Sequence, residues 1–243
     1  MSTNLSNQSE QLGQIIGEFG WNKGRAKALL GVWIFLFIFS LPLSLALIGL
    51  PGLILSGYFI YRSFQRIKAS KPVILICQNG LLDSRQGRTQ TIYYSDIKNL
   101  FLSVVVTNGV LNYIVTIELQ TGQKIKIDEH VADVDRLRSL LEEQVVKVQL
   151  PGAIASYQQG NAIAFGNLVL TQEGLSSGKR TLPWSDFGSA DIQRRIKSSV
   201  ELLVFQKSTN KVWFSAPRSS VPNLALFFTL LNYIGGPSQA KKV

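Results

Sequence analysis

Ile92-Tyr93-Tyr94-Ser95-Asp96-Ile97 returns later in the chain as Leu182-Pro183-Trp184-Ser185-Asp186-Phe187, and this pair of stretches decides the fold. Each has an aromatic residue, then Ser-Asp, then a run suited to a strand. Upstream of the first lies Gln78-Asn79-Gly80-Leu81, and upstream of the second Gln172-Glu173-Gly174-Leu175. From Ser95 to Val131, and from Ser185 to Val221, the chain covers the same 36 positions to the start of a helix-like segment. Short motifs match by chance easily, but their order and spacing do not, so the chain reads as a duplication on either side of residue 150.

Working outward, each copy is a series of short strands closed by a helix. In the first, β-branched and aromatic runs at 73–78, 81–84, 89–94, 97–106, 111–120 and 123–127 are separated by Asn79-Gly80, Gln86-Gly87, Asn108-Gly109 and Thr121-Gly122. Asn-Gly pairs mark hairpins, because both residues tolerate the positive φ of tight turns. The second copy offers 162–171, 175–177, 180–184, 187–193, 200–206 and 211–215. Apolar residues at helical spacing predict closing helices over 131–146 and 221–234, Pro222 fitting the first turn of the latter. A seventh strand is expected before each set, at Ile16 to Phe19 and at Ile154 to Tyr157. Tyr94 and Trp184 are expected to be equivalent core aromatics.

Between Ile16–Phe19 and the other strands of the first copy lie 34 uncharged residues, Ala28 to Tyr61. One straight helix of that length would reach about 51 Å, against a hydrocarbon core of roughly 30 Å. Leu41-Pro42 and Leu50-Pro51 interrupt it, and Lys23, Arg25 and Lys27 precede it as Arg62, Arg66, Lys68 and Lys71 follow. Basic collars mark the cytoplasmic side. A helical hairpin, transmembrane or re-entrant, is therefore expected, with both termini cytoplasmic; a strand before it and strands after it in one sheet require the same return. A signal peptide cut after Ser44-Leu45-Ala46 is disfavoured, since the apolar run continues beyond that point.

Seven strands and a C-terminal helix look like the pleckstrin-homology-like barrel. The whole chain also resembles a family of uncharacterised bacterial membrane proteins, defined only as a domain of unknown function. The residues that carry this are Leu12-Gly13, Asn79-Gly80-Leu81, Tyr94-Ser95-Asp96-Ile97 (where the family usually has a tryptophan) and Ala164-Phe165-Gly166 with Leu168. Gly174-Leu175, Leu182-Pro183-Trp184-Ser185-Asp186 and Val221-Pro222-Asn223-Leu224 continue it. The resemblance implies an architecture and brings no activity. The expected fold is thus membrane-anchored and mainly β: two tandem pleckstrin-homology-like barrels, with the hairpin inserted in the first. The expected division is a flexible 1–11, a first domain from 12–27 with 71–150, the hairpin and its basic flank at 28–70, a second domain at 151–236 and a basic tail at 237–243.

His130 and Cys77 are the only residues of their kinds, so a zinc cluster, a Cys-His pair and a Ser-His-Asp set within one chain are excluded. Cys77 reads as a buried strand residue. Asp128, Glu129, Asp133 and Asp135 around His130 read as caps and solvated charges at a strand-to-helix boundary. No P-loop or GxGxxG occurs, and no cofactor is expected.

The net charge of +10 is uneven, with +5 over 62–99, −2 over 100–150 and +6 over 151–243. Polybasic segments beside a membrane run meet anionic head groups. The candidate lipid-binding residues are therefore Lys23, Arg25, Lys27, Arg62, Arg66, Lys68, Lys71, Lys179, Arg180, Arg194, Arg195 and Lys197. The first loop of the second copy, Gln158-Gln159-Gly160-Asn161, has no cation, which disfavours a phosphoinositide pocket there. The functional expectation is a non-catalytic binding or scaffolding protein on the cytoplasmic face, touching anionic lipid or a protein partner. The alternative is a membrane-bound enzyme using carboxylates such as Asp96 or Asp186 between the barrels. Nucleic acid is disfavoured, because clustered surface aromatics are lacking.

Overall fold

The computed structural model describes residues 11–44, 49–69, 71–107, 110–195 and 199–235. Asn108-Gly109, Lys197 and most of the expected terminal segments lie outside them. The described chain is mainly β, with four antiparallel sheets and four α-helices. None of the sheets closes on itself among the described residues.

Strand β1 (Ile15–Phe19) leads straight into two helices, α1 (Lys23–Ser44) and α2 (Leu50–Lys68), and the chain then returns as β2 (Ile74–Cys77). β1 pairs antiparallel with β2, so the helices form an insertion between hydrogen-bonded neighbours. β3 (Gly80–Asp83) and β4 (Gln90–Tyr93) complete a sheet in the order β1-β2-β3-β4. β5 (Ile97–Thr107), β6 (Val110–Leu119) and β7 (Lys124–Ile127) form a second sheet, followed by α3 (Val134–Gln158). The C-terminal half has the same plan: β8 (Ile163–Phe165), β9 (Leu168–Leu170), β10 (Gly174–Ser177) and β11 (Arg180–Pro183) in one sheet. β12 (Phe187–Arg195), β13 (Ser199–Gln206) and β14 (Val212–Pro217) form another, and α4 (Leu224–Gly235) ends the description.

The correspondence between halves reaches single hydrogen bonds. Tyr94 and Trp184 each open a 3-10 turn. The Tyr94 hydroxyl donates to the carbonyl of Cys77 at 2.7 Å, and the Trp184 indole N–H donates to that of Thr171 at 3.1 Å, the aligned residue. Their backbone amides donate to Asn79 and Glu173, also aligned. Gly80 and Gly174 lie opposite Tyr93 and Pro183, where a Cβ would sit 2.4 Å from the Ile92 carbonyl oxygen or 2.1 Å from that of Leu182. Both glycines are required by close approach of the neighbouring strand. A β-bulge follows Ile97 in one half and Phe187 in the other.

Three expectations need correction. Ile154 to Tyr157 is helix, not strand: α3 runs on past the expected end at Val146, and residue 150 falls inside it. Pro151-Gly152 suggests a break, and Pro151 does remove one backbone donor. The apolar spacing nevertheless continues at helical period through Val146, Leu150, Ala153, Ile154 and Tyr157, which pack on the second core, whereas Val134, Leu137, Leu141 and Val145 belong to the first. The expected strand 162–171 is two strands, turned back at Gly166, whose φ is +67°. The second half therefore still has seven strands. Finally, Tyr94 is fully buried but Trp184 only half-buried at the rim of its core.

The halves are clasped by Asn223. Its backbone has a φ of +50°, as Asp133 has +51° at the aligned position before α3. Its N–H donates to Leu100 O at 2.9 Å, its side-chain oxygen accepts from Leu100 N at 2.8 Å, and its amide donates to Lys98 O at 3.0 Å. The expected helix from 221 thus starts at Leu224, with Pro222 ahead of it.

Gly80→Ala and Gly174→Ala should each destabilise by about 1–3 kcal/mol, the range for overpacking a tight site. Gly152→Ala, in an open position on α3, should instead stabilise by up to about 1 kcal/mol. Tyr94→Phe, which strands a buried carbonyl, should cost about 1–3 kcal/mol. Chemical denaturation of the four variants in one detergent would check the order.

Candidate functional site

Two features stand apart from the cores: the α1–α2 hairpin and a cleft beside α3. Beyond Lys27 helix α1 is apolar all round, with Val32, Phe35, Ile38 and Phe39 exposed; α2 adds Ile54, Leu55, Tyr58 and Tyr61. Between the helices the packing is close because one face of α2 is small. Ser56 and Ser63 are buried there, and a Cβ on Gly52 would lie 2.8 Å from Ser40 Oγ. Small residues let helix backbones approach where water supplies no drive to associate. Trp33 stacks on Phe59 with centroids 4.3 Å apart. The hydroxyls of Ser40 and Ser56 are satisfied within their own helices, by Leu36 O at 2.7 Å and Gly52 O at 2.6 Å. Among the described residues one helix, Lys23–Leu43, is long and apolar enough to cross a membrane. Arg62, Arg66 and Lys68 charge the last turns of α2.

The base of the hairpin is tied to the loop before α3. Asn22 caps α1 through Arg25 N at 3.1 Å and donates to Glu129 O at 3.2 Å, while Arg25 pairs with Glu129 at 2.7 Å. Trp21 bridges to Val131, and the Arg66 guanidinium lies 4.8 Å above the Trp21 ring. The acidic run is thus partly a clamp on the hairpin, beyond capping alone. Asp128 accepts from the His130 backbone at 3.2 Å and contacts its Nδ1 at 2.9 Å. Burial opposes ionisation of Asp128, but those His130 bonds outweigh it and hold the carboxyl below its usual range. No group of three or more His, Cys, Asp or Glu suited to a metal occurs among the described residues.

Of the expected lipid-binding cations, Lys23, Lys27, Arg62, Lys68 and Lys71 are exposed around the hairpin base, whereas Arg25 and Arg66 are engaged as above. In the C-terminal half Lys179 and Arg194 are exposed, and Arg180 lies 5.6 Å from the Trp213 centroid. Arg195 ends β12.

The cleft, of about 560 Å³, was not foreseen in the sequence. Arg138, Ser139, Glu142, Glu143 and Val146 of α3 form one wall. Ile192, Arg218 and the Leu224, Ala225, Phe228 and Thr229 side of α4 form the other. Arg138 Nη1 bonds Glu142 at 2.6 Å, its Nε and Nη2 bond Asp135 at 3.1 and 2.8 Å, and its guanidinium lies 5.0 Å from the Tyr113 centroid. Arg218 is looser: its Nη2 is 3.7 Å from Glu142, and its buried Nε has no hydrogen-bond partner among the described residues. Burial pushes Glu142 up despite both arginines, and burial lowers Arg218. Arg138 and Glu142 lie four residues apart on α3, a spacing the sequence shows; Arg218 joins them only through the fold. Neither Asp96 nor Asp186 lines this cleft. Asp186 is held below the usual range by hydrogen bonds from Gln206 and from Ser208, and Asp96 accepts from Ser95 at 3.3 Å.

These features define a mainly β protein carrying an apolar helical hairpin and a charged cleft between its last two helices. The chain belongs to the family of unknown function DUF6585, which matches residues 1–240. No curated protein matches it.

Arg138→Ala should cost about 3 kcal/mol, because it leaves Glu142 buried with one loose partner, whereas exposed Arg180→Ala should cost under about 1 kcal/mol. A raised carboxyl binds more protons folded than unfolded, so its contribution is greatest in acid and declines as pH rises through the raised value. Glu142→Gln should remove that decline from a stability profile taken upward from the ordinary glutamate range.

Proposed function

We propose that this is a membrane-anchored, non-catalytic binding protein whose two pleckstrin-homology-like halves are held at the cytoplasmic face by a re-entrant hairpin. The observation that carries the reading is the concentration of exposed large apolar side chains on α1 and α2, which in water would form an unprotected patch. Four strands, then three, then a helix in each half support the pleckstrin-homology-like reading.

Depth follows from charge. The uncharged part of α1 from Ala28 spans roughly 26 Å and that of α2, Leu50 to Tyr61, only roughly 18 Å, so the second arm falls well short of a hydrocarbon core of roughly 30 Å. Tyr58 and Tyr61 hold their hydroxyls toward Arg62 and Gln65 at 3.5 and 2.9 Å, the amphipathic placement suited to a head-group boundary. Both ends of the hairpin then lie on the basic, cytoplasmic side. Lys23, Lys27, Arg62, Lys68 and Lys71 meet anionic head groups at its base, each contributing about 1 kcal/mol. Lys179, Arg180, Arg194, Arg195 and Lys197 of the C-terminal half offer a second, salt-sensitive contact with anionic lipid.

Membranes washed with alkaline carbonate should retain the full chain; release into the wash would remove the anchor. Cysteines placed at residues 5, 44 and 240 should stay unlabelled by an impermeant thiol reagent applied to intact cells. Native Cys77 gives no background, because it is buried and burial pushes its thiol up. Labelling at 44 alone would mean a complete crossing and overturn the re-entrant form, and labelling at 5 or 240 would place that end outside.

A further inference from the structure

We infer that the cleft between α3 and α4 is a binding site for a small amphiphilic anion, a carboxylate or phosphate carried on a short apolar body. The inference is independent of the membrane reading, because the cleft is built from α3, β12, α4 and the 3-10 turn at Arg218–Ser220.

The polar end of the cleft is only half paired. Arg138 is engaged by Asp135 and Glu142 at ordinary distances, and its ring contact with Tyr113 fixes the plane of the guanidinium. Arg218 is held in place without being satisfied. Among the described residues its nearest carboxylate oxygen is 3.7 Å away, outside hydrogen-bonding range, and its Nε is shut off from solvent with no acceptor. A guanidinium that lines the cleft and meets its carboxylate only beyond hydrogen-bonding range can gain charge-assisted bonds from an incoming oxyanion through its Nη groups. Glu142 is shared unequally: Arg138 holds its Oε2 at 2.6 Å, and its Oε1 stays 3.7 Å from Arg218. The other wall is apolar, with Ile192, Leu224 and Phe228 beside the charge, so an anion with an attached hydrocarbon or ring covers both surfaces. A bare inorganic anion would leave the apolar wall wet.

The chemistry sets opposite signs for two neighbouring changes. Arg218→Gln removes the donor, whereas Glu142→Gln removes the competing negative charge and leaves two arginines facing the ligand. If the cluster were only structural, both would act by loosening α3 against α4 and would shift binding in the same direction.

The test uses the full chain in nanodiscs of neutral phosphatidylcholine, with hexanoate, hexyl phosphate, inorganic phosphate and neutral hexanamide titrated by calorimetry against empty discs. Hexanoate or hexyl phosphate should bind, inorganic phosphate more weakly and hexanamide not measurably. Arg218→Gln should weaken the anions by about tenfold or more, the scale of a charge-assisted bond. Arg218→Lys should retain part of the affinity, and Glu142→Gln should tighten binding several-fold. Repeating the titration in discs containing phosphatidylglycerol separates two sources of the same head group. Reduced hexanoate affinity means that bilayer phosphates reach the cleft, and unchanged affinity means a free anion; either result supports the site. Equal binding of hexanamide and hexanoate, no binding of either anion, or loss of affinity in both the Arg218→Gln and Glu142→Gln variants overturns it. Circular dichroism on each variant separates loss of binding from loss of fold.

Discussion

The pairing of β1 with β2 is the constraint on which the rest depends. Glu18 lies opposite Leu75, Phe19 lies opposite Ile74, and Val73 N donates to Phe19 O at 2.8 Å, so the two ends of a long apolar insertion are fixed within one sheet spacing. An insertion whose ends meet must fold back on itself, and two antiparallel helices do so while pairing most of their own backbone groups. The small face of α2 and the Trp33–Phe59 stack then follow as the means of closing the hairpin. The Arg25–Glu129 pair and the Arg66–Trp21 contact seat it against the first core.

Much of this was legible because it rests on local chemistry. Gly80 and Gly174 stand out as aligned glycines, Tyr94 and Trp184 as aligned ring donors, and Ile16–Phe19 as a strand stranded ahead of an apolar run. The repeat does not extend to Ile154–Tyr157, where the apolar residues from Val146 onward keep a helical period and pack on the second core. Pro151 lies inside that helix, where packing against two cores overrides its local propensity. The cleft was illegible for a different reason. Arg138 and Glu142 look like an ordinary surface pair at i, i+4, and nothing local to Arg218 says that it will be buried against them.

The two halves differ where they are alike in plan. The first helix, α3, is amphipathic in succession, facing one core and then the next, whereas α4 is buried along most of its length, with Leu224, Leu226, Phe227, Phe228, Leu230 and Leu231 inside. The aligned residues that precede them diverged accordingly. Asp133 accepts from its own helix, through its carbonyl to Leu137 N, while Asn223 has the amide needed both to accept from Leu100 and to donate to Lys98. A carboxylate could make the first of those bonds and not the second.

Sharing one helix between two cores also imposes a phase. Each residue of an α-helix turns its successor by about 100° and advances it about 1.5 Å. One residue added to α3 between Val145 and Leu150 would leave both cores chemically intact yet swing the C-terminal half by more than a quarter turn about the helix axis. Asn223 would be carried away from Leu100 and Arg218 from Glu142, and no loop lies between the halves to absorb the rotation. The number of residues in that segment is therefore as much a part of the architecture as their identity, and substitutions should be tolerated there far more readily than changes of length.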